Sequence, residues 1–292
     1  YQLESETYTP LLWLFEGFTS YYDDLVLVRT GLVTDQQYVE MLGKTWNGVL
    51  RGSGRTKQSV ADSSFDAWTK YYRQDENAPN AIVSYYTKGS LVALALDLTI
   101  REKTRGRKSL DDIMRALWQR YGRDFYAPGA AQRGVTEAEV YALFDDVTGL
   151  KLGALLRALT EGTGEIGLVP LFRAFGVKAE VQKPDGTAAL GIKTAKQDGW
   201  VRVSQVLDGG AGQKAGLSAG DLLAAVDGLR VAPGQLEKLL GRYRAGDRVE
   251  LHVFRRDELQ VLPVTLAREP AVQYKVSVET GKHVGRARWL GQ

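Results

Sequence analysis

No cysteine occurs in this 292-residue chain, which excludes disulfides and every thiolate metal site while leaving the compartment open. Histidine is almost as scarce. The two present, His252 and His283, stand too far apart to share one helical face, so the chain carries no His-Glu-x-x-His helix. His252 lies among alternating strand-like residues and His283 in a basic tail, and both read as ordinary sheet or surface histidines. No apolar run is long enough to span a bilayer. The formal charge is only +3 and no long lysine/arginine run occurs, so the composition gives no support to a nucleic-acid partner.

What is present suffices for ordinary buried cores: 44% of the residues are hydrophobic, and this length corresponds to about two domains. The first half reads as helices. Thr34 can cap a helix whose apolar positions Tyr38, Leu42, Trp46 and Val49 recur at helical intervals, and Arg51-Gly-Ser-Gly-Arg55 breaks it. Asn80 can cap the helix carrying Tyr86. Ser109 with Asp112, and Thr136 with Glu139, repeat the capping-box spacing, and a further helix is expected over 152–159. Past Gly162 the pattern changes to glycine clusters and period-two alternation, as in Val201–Val206, Val249–Phe254 and Leu259–Leu266. Asp227-Gly228 between short apolar runs is a hairpin signal, and Pro233–Arg242 reads as a short helix.

The most informative stretch is Leu11–Asp24. Thr9 can cap it and Pro10 suits a first helical turn, and its apolar run is too long for one strand. Within it stands one carboxylate, Glu16, whose burial alone would cost several kcal/mol unless it were paired or bound to a metal. The plain alternative is a structural carboxylate paired with an arginine. Gly17 sits mid-helix at a cost of about 1 kcal/mol relative to alanine, which implies a close neighbour there. Glu16, Thr19, Ser20 and Asp23 share one face, a polar stripe that could line a cleft.

Trp13-Leu-Phe-Glu16-Gly17-Phe-Thr19-Ser-Tyr21 resembles the segment that carries the third zinc ligand in gluzincin aminopeptidases, and Glu6–Asp24 as a whole resembles the glycyl aminopeptidase family. Ser63–Tyr72, Asn77–Gly89 and Leu96-Asp97-Leu98 follow that family's pattern in order and spacing. The resemblance implies that Glu16 is a zinc ligand. It implies that Tyr86, with Tyr85 as alternative, donates a hydrogen bond to the tetrahedral intermediate. Lys88, Asp23 and Asp97 read as structural, and Trp68, Tyr71 and Tyr72 as core aromatics. The family's two histidine ligands and its general-base glutamate come from a His-Glu-x-x-His helix ahead of the glutamate ligand. Tyr1 is no initiator methionine and the match already runs at Glu6, so the chain is expected to be a C-terminal fragment, inactive alone and without bound Zn2+. Bacterial members are often exported, which leans the expectation toward the periplasm.

The second half resembles a PDZ domain of the bacterial protease-associated kind, through Leu190-Gly191-Ile192, Ala211–Leu217, Gly220-Asp221-Leu222-Leu223, Val226-Asp227-Gly228 and Gly246–Leu251. That resemblance implies that Leu190, Gly191 and Ile192 hold a peptide carboxylate while the peptide adds as a strand. The expected fold class is therefore multidomain, α and α+β: a helical part of a gluzincin catalytic domain (1–165), a linker with a short helix (166–178), a PDZ-like β-rich domain (179–270) and a C-terminal tail (271–292) whose basic stretch Lys282–Arg288 is expected to be solvated. The expected function of the intact parent is zinc-dependent removal of small N-terminal residues, glycine or alanine, from peptides. The alternative is a non-catalytic peptide-binding scaffold.

Overall fold

In the computed structural model, which describes residues 4–130, 132–182, 188–268 and 272–291, nine helices come first. They are α1 (Leu12–Arg29), α2 (Asp35–Arg51), α3 (Val60–Phe65), α4 (Ala78–Ala81), α5 (Thr87–Lys103), α6 (Leu110–Leu117), α7 (Glu137–Thr148), α8 (Gly153–Thr160) and α9 (Leu168–Ala174). Capping boxes at Thr34/Gln37, Ser109/Asp112 and Thr136/Glu139 start α2, α6 and α7 by satisfying amide groups that have no partner within the helix. α5 is buried from Lys88 to Arg101, as its all-round apolar composition requires, and α1 packs along it.

The β-rich part follows. β1 (Val177–Val181), β2 (Ile192–Gln197), β3 (Trp200–Val206), α10 (Ala211–Lys214), β4 (Leu222–Val226), β5 (Leu229–Arg230), α11 (Leu236–Leu240), β6 (Arg248–Arg255), β7 (Glu258–Thr265), β8 (Tyr274–Val278) and α12 (Val284–Leu290) complete the chain. Strands β2-β3-β4-β6-β7 form an antiparallel sheet in that order, with β5 paired to β4. Asp227 and Gly228 both take positive φ, 48° and 74°, as a two-residue hairpin turn demands. This domain has its own core, centred on Val203, Leu223, Val226, Leu251 and Val253. Asp221, which is buried, accepts two hydrogen bonds from the Arg255 guanidinium at 2.8 and 2.7 Å.

The C-terminal segment departs from the expected solvated tail. β8 returns to the helical domain and pairs with β1, from Val177↔Val278 to Val181↔Tyr274, so residues 179–181 also belong to this ribbon rather than to the β domain. Side chains of α2 satisfy the other edge of β8. Asn47 exchanges hydrogen bonds with the Tyr274 backbone at 2.9 and 2.8 Å, Gln36 accepts from the Val278 amide, and Trp46 stacks on Tyr274 at 4.0 Å. α12 then plugs the helical core with Trp289 and Leu290, both fully buried. Arg286, expected in solvent, is buried and donates to the Gly176, Glu279 and Gly281 carbonyls. His283, likewise read as a tail residue, caps α12 by accepting from the Arg286 amide. A few apolar residues placed at one helical interval outweigh the local charge. The expected boundary at residue 270 lies outside the described residues.

Candidate functional site

Glu16 sits on α1 one residue before Gly17, where α1 meets α5. A methyl group on Gly17 would lie 2.6 Å from the Gly89 carbonyl carbon, and one on Gly89 would lie 3.0 Å from the Gly17 Cα. Only a glycine pair lets the two backbones approach this closely. The close neighbour expected at Gly17 is therefore Gly89, and the contact brings Glu16 beside the residues that open α5. Gly17→Ala is expected to push the helices apart and cost about 1–3 kcal/mol by overpacking, measurable by chemical denaturation. An unchanged stability would mean that the helices slide without loss.

Glu16 is half-buried rather than enclosed, because its face of α1 lies at the surface, with Phe15, Thr19 and Asp23 exposed around it. It makes no hydrogen bond or ion pair among the described residues. Among the described residues no arginine pairs with it. α1 also begins later than the capping expectation: Thr9 accepts from the Leu11 amide, but the helix starts at Leu12 with no side-chain cap.

Tyr86 stands at the N-cap of α5, outside the helix interior, and Asn80 does not cap that helix. Tyr85 is fully buried whereas Tyr86 is half-buried. The Tyr72 hydroxyl lies 3.4 Å from each of their hydroxyls, and Tyr71 packs against both rings. The Tyr72 hydrogen bond, then burial and the nearby Glu16 charge hold the Tyr86 phenol above its ordinary range, so it remains a proton donor throughout neutral pH. Burial, then the Tyr72 hydrogen bond, does the same for Tyr85. The Glu16 carboxylate is among the charges that raise the Tyr86 pKa. Trp68 and Tyr72 are not core aromatics: they are 51% and 65% exposed, and only Tyr71 of that trio packs against the core. Lys88 is buried, donates to the Arg55 carbonyl at 3.0 Å and has its pKa lowered by burial, a structural role as expected.

In the β domain Leu190-Gly191-Ile192 leads into β2, the edge strand of the sheet. Gly191 takes φ +67°, and a methyl group there would meet the Gly210 Cα at 2.7 Å. Ile192 is opposite Val206 while the Leu207 amide donates to the Gly191 carbonyl at 2.8 Å. That register makes Ile192 a non-hydrogen-bonded pair with Val206, so its own N–H and C=O point away from β3, towards the open edge. A backbone could add there.

One set of residues was not visible in the sequence. Asn80 reaches from α4 to the end of β3, donating to the Val206 carbonyl at 2.7 Å and accepting from the Asp208 amide at 2.9 Å. Asp208 in turn accepts from Ser53 and Lys57, each at 2.6 Å. Hydrogen bonds from Lys57 and then Ser53 hold its carboxyl below the usual carboxylate range. These contacts join the β domain to the helical domain on the side of β3 away from β2. No local signal marks them, because the partners are far apart in the chain. Among the described residues no group of three metal-ligating side chains occurs.

Residues 1–92 match the family described as M61 glycyl aminopeptidase, and residues 188–266 match the PDZ domain family. An aminopeptidase N family protein from Idiomarina loihiensis, of known structure, is 37% identical with a TM-score of 0.90 over 99% of this chain. The match covers 50% of that protein, so this chain spans about half its length. An HtrA-type protease, AlgW with a decapeptide, is 19% identical over 29% of this chain and 30% of its own, with a TM-score of 0.27. A serine endoprotease from Yersinia pestis is 17% identical over 28% of this chain and 29% of its own, with a TM-score of 0.26. Likenesses of that extent add nothing to the assignment. No curated protein matches the chain. On the family matches and the fold shared with the Idiomarina protein, the chain carries a segment of the M61 glycyl aminopeptidase family joined to a PDZ domain.

Proposed function

We propose that this chain is the C-terminal part of a zinc-dependent aminopeptidase that removes glycine or alanine from peptide N-termini. Juxtaposition of an unpaired Glu16 with a half-buried, protonated Tyr86 is the observation that carries the reading. Glu16 fits a metal ligand, being a free carboxylate with no competing partner. It is one ligand of the three that a catalytic zinc takes from protein, so on this reading the others, with the general base, lie outside this chain. Zinc, when bound, supplies a polarised carbonyl and an activated water. Tyr86 donates its phenolic proton to a hydrogen bond with the oxygen that gains negative charge in the tetrahedral intermediate. Tyr72 holds the Tyr86 hydroxyl in place, and the Gly17–Gly89 contact sets the spacing between carboxylate and phenol. Phe15 and Tyr72, exposed beside the pair, support further polypeptide covering this face.

The test is zinc-dependent hydrolysis of glycyl-p-nitroanilide by the full-length natural protein, beside its Glu16→Ala and Tyr86→Phe versions and the present chain. Glu16→Ala is expected to abolish activity with loss of bound zinc. Tyr86→Phe should lower kcat by roughly 100- to 1000-fold, the usual effect of removing one oxyanion donor, with zinc retained. Wild-type activity in both variants would refute the assignment of the two roles. A full-length protein that binds no zinc and cleaves nothing would leave the second reading, a peptide-binding module, which the outward-facing backbone of Ile192 favours. That reading requires saturable binding of peptides with a free C-terminus and much weaker binding of the amidated forms.

A further inference from the structure

Where the helical domain meets the PDZ domain lies a crevice made of two adjoining pockets that share Arg51 and Arg55; the Glu16–Tyr86 pair does not line it, and β2 borders it through Lys193. Its wider part, about 430 Å³, has an apolar wall that includes Leu50, Ile166, Pro170 and the Trp46–Tyr274 stack. Its narrower part, about 160 Å³, runs between Ile82 and Leu207. Arg51 and Arg55 line both parts, and Lys193 enters the narrower one from β2.

The charges here are not all balanced. Arg55 is paired with Glu165 at 2.8 Å, and Lys57 with Asp208 at 2.6 Å. Arg51 and Lys193, by contrast, have no hydrogen-bond or ion-pair partner among the described residues. They come from different domains, and burial followed by the Arg51 charge lowers the pKa of the Lys193 ammonium. Two like charges facing each other across a domain boundary repel, and an anion between them would turn that cost into attraction. The carboxylates of Glu165 and Asp208 also border the wider part, which disfavours a multiply charged anion such as phosphate and favours a single negative charge. The apolar wall asks for a hydrocarbon body behind it.

We propose that this crevice binds an organic monocarboxylate with an apolar body, its carboxylate held between Arg51 and Lys193 and its body laid against Leu50, Ile166 and Trp46. Two sources supply this chemistry: the C-terminal residue of a peptide, and a fatty acid. The proposal does not rest on the aminopeptidase reading, because the site is complete within this chain.

Calorimetric titration of the present chain with N-acetyl-L-leucine, N-acetyl-L-leucinamide and octanoate tests it, repeated on Arg51→Ala and Lys193→Ala. Both side chains are exposed enough for the variants to keep the fold, which circular dichroism verifies. At least one acid is expected to bind, with the uncharged amide and each variant weaker by about tenfold or more, as for loss of a charge-assisted hydrogen bond. Tighter binding of acetyl-leucine than octanoate would support the peptide source, and the reverse order the fatty-acid source. Binding of neither acid would overturn the proposal. So would equal binding of acid and amide, or affinities unchanged in both variants.

Discussion

Trp289→Ala is expected to destabilise the helical domain by about 3–5 kcal/mol, the range for deleting a large buried aromatic. The indole is fully buried, meets the Tyr38 and Phe175 rings edge-on, and donates from Nε1 to the Tyr21 hydroxyl at 2.9 Å. Its removal leaves a cavity among α1, α2 and α12 and takes away one partner of a buried phenol. Burial first, with the Asp97 charge adding, raises the Tyr21 pKa well above its ordinary value, so that phenol cannot escape the loss by ionising. Hydrogen exchange resolved by peptide would show protection falling along α1, α2 and α5. The PDZ domain, which has a separate core, should keep its protection. A loss below about 1 kcal/mol would mean that α12 is a dispensable appendage.

That last helix also marks where the sequence is hard to read. The three capping boxes and the Asp227-Gly228 turn are written in residues a few positions apart, where hydrogen-bond geometry depends only on the local chain. Gly17 carried a similar local signal, a glycine at a helical position that disfavours it, although its partner Gly89 could be found only in three dimensions. Arg286 and Trp289 lie in a stretch with few apolar residues, and nothing nearby reveals that Gly176 and Tyr21 await them. The Asn80–Asp208 contact is of the same kind. The one carboxylate that looked enclosed, Glu16, lies on a face that this chain leaves uncovered, because the sequence gives the helix but not what surrounds it.

Asp97→Ala should be comparably damaging, by about 3–5 kcal/mol, because it would leave a buried guanidinium without its counter-charge. Asp97 is 1% exposed and its two oxygens accept from the Tyr21 hydroxyl at 2.7 Å, the Arg101 Nε at 3.0 Å and the Leu110 amide at 2.8 Å. It thereby ties α1, α5 and the start of α6 to one point. Without it Arg101 keeps only the Arg288 carbonyl and Asp111, at 3.2 and 3.3 Å. Asp111 is already engaged by Arg29 and Tyr22; although burial raises its pKa, hydrogen bonds from those two side chains hold its carboxyl below the usual range. It cannot serve two arginines at full strength. Asp97→Asn, which keeps the acceptor and the shape, should lose less than Asp97→Ala. Tyr21 links Asp97 to Trp289, so the double variant Asp97→Ala/Trp289→Ala should lose less than the sum of its parts. Strict additivity in a denaturation cycle would mean that the two sites are independent and that Tyr21 transmits nothing between them.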